Sequence, residues 1–141
     1  MSARMTKTDP IAELLERGVE QVIVKKDLEE LLRSGKKIRL YHGIDPTGST
    51  LHIGHSISLR KLRDFQRLGH HVIMLIGSFT ALIGDTSDKD AARTAMTQEQ
   101  IDENFKTYKK QASKILDFSK VEVVYNGDWL SDLTLKELIE L

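Results

Sequence analysis

The chain has 141 residues, with 21 basic and 21 acidic side chains and no cysteine. This length suits one domain, the balanced charge gives no overall attraction to nucleic acid, and the lack of cysteine excludes disulfides and thiolate metal sites. No apolar run is long enough to span a bilayer, and the first residues lack the apolar stretch of a secretion signal. We therefore expect a cytoplasmic location, with neither a membrane nor DNA as a partner.

Two short helices are predicted in the amino-terminal part. Asp9-Pro10 is a good helix start, because the aspartate can cap the first turn and proline suits it, and Gly18 ends the apolar pattern that follows. A second helix is predicted to open at Asp27. We expect residues 1–36 to form an amino-terminal helical segment and residues 37–141 to form a second unit.

A strand and then a helix follow. Residues 38–44 alternate between apolar and polar side chains, and the turn signal at 45–48 stops the strand. From Leu51 the apolar residues adopt helical spacing, and Gly69 follows where a helix usually closes. The pattern predicts a helix from about Leu51 to Leu68.

Two histidines at the start of this helix are the main functional signal. His52 and His55 lie three residues apart and share one face, and Gly54 between them lets a ligand approach the backbone. A phosphate placed there would meet free amides, the positive end of the helix dipole and two imidazole donors. In isolation, the pair fits two surface histidines equally well. We expect no metal, because zinc takes three or four ligands and the metalloprotease helix spaces its histidines four apart.

The rest of the chain continues the alternation of strands and helices. Residues 71–77 are almost all apolar, which is typical of a central strand covered on both faces. Residues 78–96 are rich in Gly, Asp, Ser and Thr, and we expect an irregular loop that contacts substrate. The remaining elements are a helix opened by a capping box at Thr97 and Gln100, a strand at 121–125, and a helix opened by a capping box at Thr134 and Glu137.

This order predicts an α/β fold. Three parallel strands with right-handed crossovers make a three-stranded parallel half-sheet flanked by helices, which is one half of a Rossmann-like nucleotide-binding fold.

Several sequence blocks occur together in one order: Asp45-Pro46-Thr47, then Leu51-His52-Ile53-Gly54-His55, then Leu82-Ile83-Gly84-Asp85. They resemble the front half of the catalytic domain of class I aminoacyl-tRNA synthetases, whose signature is His-Ile-Gly-His (HIGH). The resemblance extends from about Ile11 and is to the bacterial-type tyrosyl enzymes, because tryptophanyl relatives usually end the signature in Asn. The family's catalytic domain is about twice this long. We therefore expect a truncated first half, without the lysine-rich signature loop, the rest of the tyrosine pocket or the anticodon-binding domain.

The resemblance implies a tyrosine-tRNA ligase. Such an enzyme activates L-tyrosine with Mg²⁺–ATP as substrate, forms tyrosyl-adenylate and transfers the tyrosyl group to tRNA(Tyr), with no tightly bound cofactor. The full-length family forms homodimers. This chemistry requires positioning and donors aimed at phosphate charge rather than a protein nucleophile.

The resemblance also implies three groups of site residues. Residues matching catalytic positions are His52, His55, Thr47, Lys89 and Arg93. Residues matching ATP-binding positions are His42, Gly43, Asp45, Pro46, Gly54 and Ser58, with His42 at a place where family members vary. Residues matching tyrosine-binding positions are Tyr41 for the phenol, Asp85 for the α-amino group, and Thr80 and Asn126.

Other interpretations remain open. Without the resemblance, Tyr41 fits an ordinary strand aromatic, Asp85 a turn residue, and lysines and arginines in the loop are usually solvated. The chain could be a non-catalytic nucleotide-binding fragment. Another HIGH-signature nucleotidyltransferase would also explain His52 and His55, but it leaves Tyr41 and Asp85 without a role.

Overall fold

The computed structural model describes residues 9–83 and 96–140. The α-helices and strands within these ranges are α1 (Pro10–Glu16), α2 (Lys25–Arg33), β1 (Arg39–Ile44), α3 (Ile53–Arg67), β2 (His71–Ile76), α4 (Thr80–Ile83), α5 (Gln98–Ala112), β3 (Val121–Tyr125), α6 (Gly127–Leu130) and α7 (Leu135–Glu140). A short 3-10 helix, Phe118–Lys120, precedes β3.

The three strands form one parallel sheet in the order β1-β2-β3. Ile44, Ile76 and Tyr125, the last residues of the strands, lie side by side in the register. The carboxyl ends of all three strands therefore reach the same edge, where open α/β sheets bind their ligands.

One face of the sheet packs against α3 and α5. Val72, Met74 and Ile76 of β2 are buried there, together with residues such as Leu62 of α3 and Phe105 of α5. The opposite face of β2, which carries Ile73 and Leu75, is only half-buried. β2 is the central strand of the sheet, as expected. The expectation that both of its faces are covered is wrong for the described residues, because α3 and α5 both pack on the same side.

The amino-terminal helices pack together beside the sheet. Leu14 and Leu15 of α1 and Leu32 of α2 form a second apolar cluster, and Phe65 of α3 packs against it. Lys61 of α3 joins the two parts, because its ammonium donates to the carbonyl oxygens of Leu14 (2.6 Å) and Arg17 (2.8 Å).

Most predicted elements are confirmed, with two local corrections. Helix α2 begins at Lys25 rather than Asp27, because Val24 caps it in a left-handed conformation with φ 55°. The predicted loop 78–96 contains α4, whose sequence Thr-Ala-Leu-Ile is less polar than the rest of that segment. No helix in the described ranges has the length and apolar character needed to cross a membrane.

Candidate nucleotide site

A chain of hydrogen bonds links the carboxyl ends of the three strands. Asp45 follows β1, Thr80 opens α4 after β2, and Asn126 follows β3. The Thr80 hydroxyl donates to the Asp45 carboxylate at 2.7 Å, and the Asn126 amide donates to the Thr80 oxygen at 3.0 Å. The Asn126 side-chain carbonyl accepts from the backbone N–H of Phe79 at 2.8 Å. Asn126 is 8% exposed, and its side chain joins the residue after β3 to the residues after β2.

Two small residues allow this close approach. A Cβ atom on Gly77 would lie 1.6 Å from an oxygen of Asp45, so no larger residue fits there while Asp45 keeps its place. The buried Ser78 accepts a hydrogen bond from the Gly127 N–H at 3.0 Å. Gly77 and Ser78 thus bring the end of β2 against Asp45, which follows β1, and Gly127, which opens α6.

His52 and His55 build the first turn of α3 as well as exposing imidazole groups. The Gly54 N–H donates to Nδ1 of His52 at 3.1 Å, and the His52 N–H donates to Nδ1 of His55 at 3.1 Å. The pair thus forms a reciprocal capping box, with the ring centroids 3.9 Å apart. Because each Nδ1 accepts a hydrogen bond, each neutral ring carries its proton on Nε2. Both histidines can therefore donate a hydrogen bond to an anion from Nε2.

Strand β1 presents its side chains on two different faces. Tyr41 is 72% exposed on the open face of the sheet. The adjacent His42 is half-buried on the other face, where it lines a small cavity with His55 and Ser58 of α3. Burial lowers the pKa of His42 below its ordinary value, and the nearby His55 lowers it further. His42 therefore faces this cavity mainly as a neutral imidazole at neutral pH.

The sequence of the chain matches a known family. The model of the class I tRNA synthetases of the W and Y group matches residues 33–141. The chain belongs to this family.

Curated relatives of this synthetase family carry a more specific name. The chain is 45% identical over 137 residues to a tyrosine–tRNA ligase from Aromatoleum aromaticum, covering 97% of this chain and 34% of that protein. It is 48% identical over 140 residues to a tyrosine–tRNA ligase from Synechococcus sp. (strain JA-2-3B'a(2-13)), with 94% and 34% covered. The chain thus spans about a third of the length of the curated relatives it matches.

Solved synthetase structures show the same fold. A tyrosyl-tRNA synthetase from Archaeoglobus fulgidus, complexed with L-tyrosine, superposes with a TM-score of 0.70 at 26% identity, covering 93% of this chain and 38% of that one. A C-terminally truncated mitochondrial tyrosyl-tRNA synthetase from Coccidioides posadasii gives a TM-score of 0.69 at 28% identity, with 95% and 40% covered. These likenesses confirm the predicted Rossmann-like half.

The structure brings together residues that the synthetase resemblance assigned to separate ligands. Asp45, which matches an ATP-binding position, accepts a hydrogen bond from Thr80, which matches a tyrosine-binding position. Thr47 is exposed, and its N–H donates to the Asp45 carbonyl at 2.8 Å. Pro46 is fully buried, and the exposed Gly43 lies on the same face as Tyr41. Asp85, Lys89 and Arg93 lie outside the described residues.

Sequence reasoning missed the residues that hold these groups in place. The sequence pattern includes Gly77 in the predicted strand and Ser78 in the predicted loop, although the place of both directly after the last residue of β2 is a usable signal. Asn104 and Gln111 of α5 looked like ordinary polar residues on a helix. Their side chains bond to the backbone of the loop before α3, a contact that no local sequence pattern reports.

Proposed function

We propose that this chain forms the ATP-binding part of a tyrosine-tRNA ligase. The observation that carries the proposal is the histidine pair at the start of α3. Backbone amides occupy Nδ1 of both His52 and His55, which leaves two Nε2–H donors at the positive end of a 15-residue helix. Donors held in advance at such a position suit the growing negative charge of a phosphoryl-transfer transition state.

The proposed reaction is adenylation of tyrosine. The tyrosine carboxylate attacks the α-phosphorus of Mg²⁺–ATP, an acyl-phosphate bond forms, and the bond to pyrophosphate breaks. The carboxylate is already ionised, so the protein needs no general base and contributes orientation and charge stabilisation. We assign His52 and Thr47 to the departing phosphates and His55 to the ribose and α-phosphate. Lys89 and Arg93 are proposed as further pyrophosphate contacts.

The open face of the sheet supports the assignment of the amino-acid substrate. Tyr41 is exposed there, and a tyrosine hydroxyl that bonds the substrate phenol would reject phenylalanine, because phenylalanine leaves that hydroxyl unpaired. We assign Asp85 to the α-amino group. The Asn126 amide donates a hydrogen bond to the Thr80 hydroxyl. This contact supports a role for both residues in shaping the proposed tyrosine pocket.

The remaining assignments follow from the relatives. The curated relatives are tyrosine–tRNA ligases, and one structural relative was solved with L-tyrosine. We therefore propose tRNA(Tyr) as the second substrate. A homodimer as the form of the whole enzyme and the cytoplasm as its location are proposed from the resemblance described above. The separate apolar cluster of α1 and α2 supports a division near residue 36 between a helical segment and the nucleotide-binding unit.

The decisive experiment uses a chimera in which this chain replaces the matching third of the Aromatoleum aromaticum enzyme. Tyrosine-dependent exchange between pyrophosphate and ATP reports adenylation directly. Removing one transition-state donor typically costs about 10²–10³-fold in rate. The double variant His52→Ala/His55→Ala should therefore lose exchange by at least that factor.

A matched control removes the same number of imidazoles elsewhere. His70→Ala/His71→Ala changes two histidines at the start of β2, and its exchange rate should stay close to that of the unaltered chimera. Circular dichroism checks that both double variants fold. Unchanged exchange after loss of His52 and His55 would refute the proposal, and exchange driven equally well by other amino acids would refute its tyrosine specificity.

A further inference from the structure

One face of α5 holds the loop that leads into the histidine pair. Asn104, Tyr108 and Gln111 lie at helical positions i, i+4 and i+7, which places them on the same side of the helix. The Asn104 amide donates to the carbonyl of Pro46 at 2.9 Å. Burial raises the pKa of Tyr108, and a hydrogen bond from the Gly48 backbone acts in the opposite direction. These contacts hold the first half of the loop.

Gln111 holds the second half with both ends of its side-chain amide. Its oxygen accepts from the Leu51 N–H at 3.0 Å, and its nitrogen donates to the Ser49 carbonyl at 3.0 Å. The amide thus bonds to the backbone on both sides of Thr50. Leu51 directly precedes His52, so Gln111 fixes the last backbone group before the helix cap.

We propose that Gln111, assisted by Asn104, is a positioning residue for nucleotide binding, which sets the place of His52 and His55 through the 46–51 loop. This inference rests on the proposed function. The loop is short and contains glycine, serine and threonine, and its backbone has many conformations open to it. Without the α5 contacts the capping box can still form within α3, but the Thr47 end of the loop and the histidine end are no longer held at a set distance.

The chain contains a matched control for this role. Gln66 of α3 makes a similar pair of bonds, both to one residue of a loop far from the histidines: its nitrogen donates to the Asp117 carbonyl at 2.9 Å, and its oxygen accepts from the Asp117 N–H at 3.1 Å. Gln66→Leu and Gln111→Leu therefore remove the same chemical groups. A purely structural role for Gln111 predicts that the two variants behave alike.

The kinetic experiment compares the two variants in the chimera. A misplacement of about 1 Å can cost about 10²-fold in rate, so Gln111→Leu should lower kcat/KM for ATP in pyrophosphate exchange by about 10- to 100-fold. Gln66→Leu should change kcat/KM less than about 3-fold, although both variants lower Tm similarly. Gln111→Glu keeps the acceptor for the Leu51 N–H and loses the donor to Ser49, so its kcat/KM should fall between the two.

A second measurement needs no catalysis and uses the 141-residue chain itself. The ¹⁵N shifts of the imidazole nitrogens report the tautomer and surroundings of His52 and His55. They should move in Gln111→Leu and stay unchanged in Gln66→Leu. Equal kinetic losses in the two leucine variants, or unmoved histidine signals in Gln111→Leu, would overturn the inference. An unaltered chimera with no tyrosine-dependent exchange would instead refute the proposed function.

Discussion

His52 and His55 combine a role in the fold with the role that we propose for them in the nucleotide site. Each ring uses Nδ1 to satisfy an amide of the first turn of α3, a turn whose amides have no partner within the helix. The same bond selects the tautomer that donates from Nε2. Folding of the helix therefore prepares the donors before any ligand arrives.

Gly54 gives a test at the residue scale. A Cβ atom there would lie 2.9 Å from Cε1 of His52, so Gly54→Ala must displace the His52 ring. Alanine in place of glycine favours a helix by about 1 kcal/mol, whereas loss of a cap costs about 1 kcal/mol. We expect the free energy of unfolding to change little.

The same substitution should strongly reduce nucleotide binding, because the His52 donor moves away from its position. Calorimetric titration of the chain with ATP, beside a urea unfolding curve, separates the two effects. Gly48→Ala is a suitable control, since a Cβ atom at Gly48 meets nothing within 4 Å. Unaltered ATP affinity in Gly54→Ala would show that the position of the His52 ring does not matter for the nucleotide.

At the scale of elements, the sequence predicted the helix starts and ends that are determined by residues close together in the chain. The capping box of Thr97 and Gln100 forms as expected, with the Thr97 N–H donating to the Gln100 side chain at 2.9 Å. The box of Thr134 and Glu137 forms in the same way. Gly69 ends α3 in the left-handed region with φ 85°. These signals are local, so a single sequence is enough to read them.

Features fixed by tertiary contacts could not be predicted in this way. The bonds from Asn104 and Gln111 to the loop before α3 join residues about 60 positions apart in the chain. The hydrogen bonds from Asn126 to Thr80 and from Thr80 to Asp45 depend on the register of three strands. The resemblance supplied the proposed ligand-binding residues, but it did not show which of them form hydrogen bonds with one another.

The start of α2 gives a prediction at this scale. Val24 adopts φ 55°, which costs a non-glycine residue roughly 1–2 kcal/mol. The side chain is 60% exposed, so little burial is lost on its removal. Val24→Gly should therefore raise the free energy of unfolding by about 1 kcal/mol, after allowance for the greater freedom of glycine in the unfolded chain.

Urea unfolding measures this change. Val22→Gly serves as the control, because Val22 is half-buried and lacks the positive φ, so its substitution should lower the free energy of unfolding. If Val24→Gly lowers the free energy of unfolding as much as Val22→Gly does, the contacts of the Val24 side chain stabilise the fold by more than its positive φ destabilises it.

At the scale of the whole molecule, apolar surface is unevenly covered. The core lies between one sheet face and two helices, whereas the described residues leave the other sheet face partly open. Helix α7 carries Leu135, Leu138 and Ile139 at positions i, i+3 and i+4, and all three are exposed. Trp129 is exposed nearby in the sequence. Contiguous apolar surface of this kind promotes association.

We therefore expect the 141-residue chain to self-associate through α7. Its elution volume in size-exclusion chromatography should decrease as the concentration rises. Ile139→Lys places a charge within the apolar stripe and should shift the equilibrium toward the monomer. The matched control is Ile23→Lys, since Ile23 and Ile139 are exposed by 82% and 76% respectively. Ile23 lies between α1 and α2, so its substitution should leave the association unchanged. Equal effects of the two lysines would indicate a general gain in solubility, and a monomer at every concentration would show that the exposed face of α7 does not drive association.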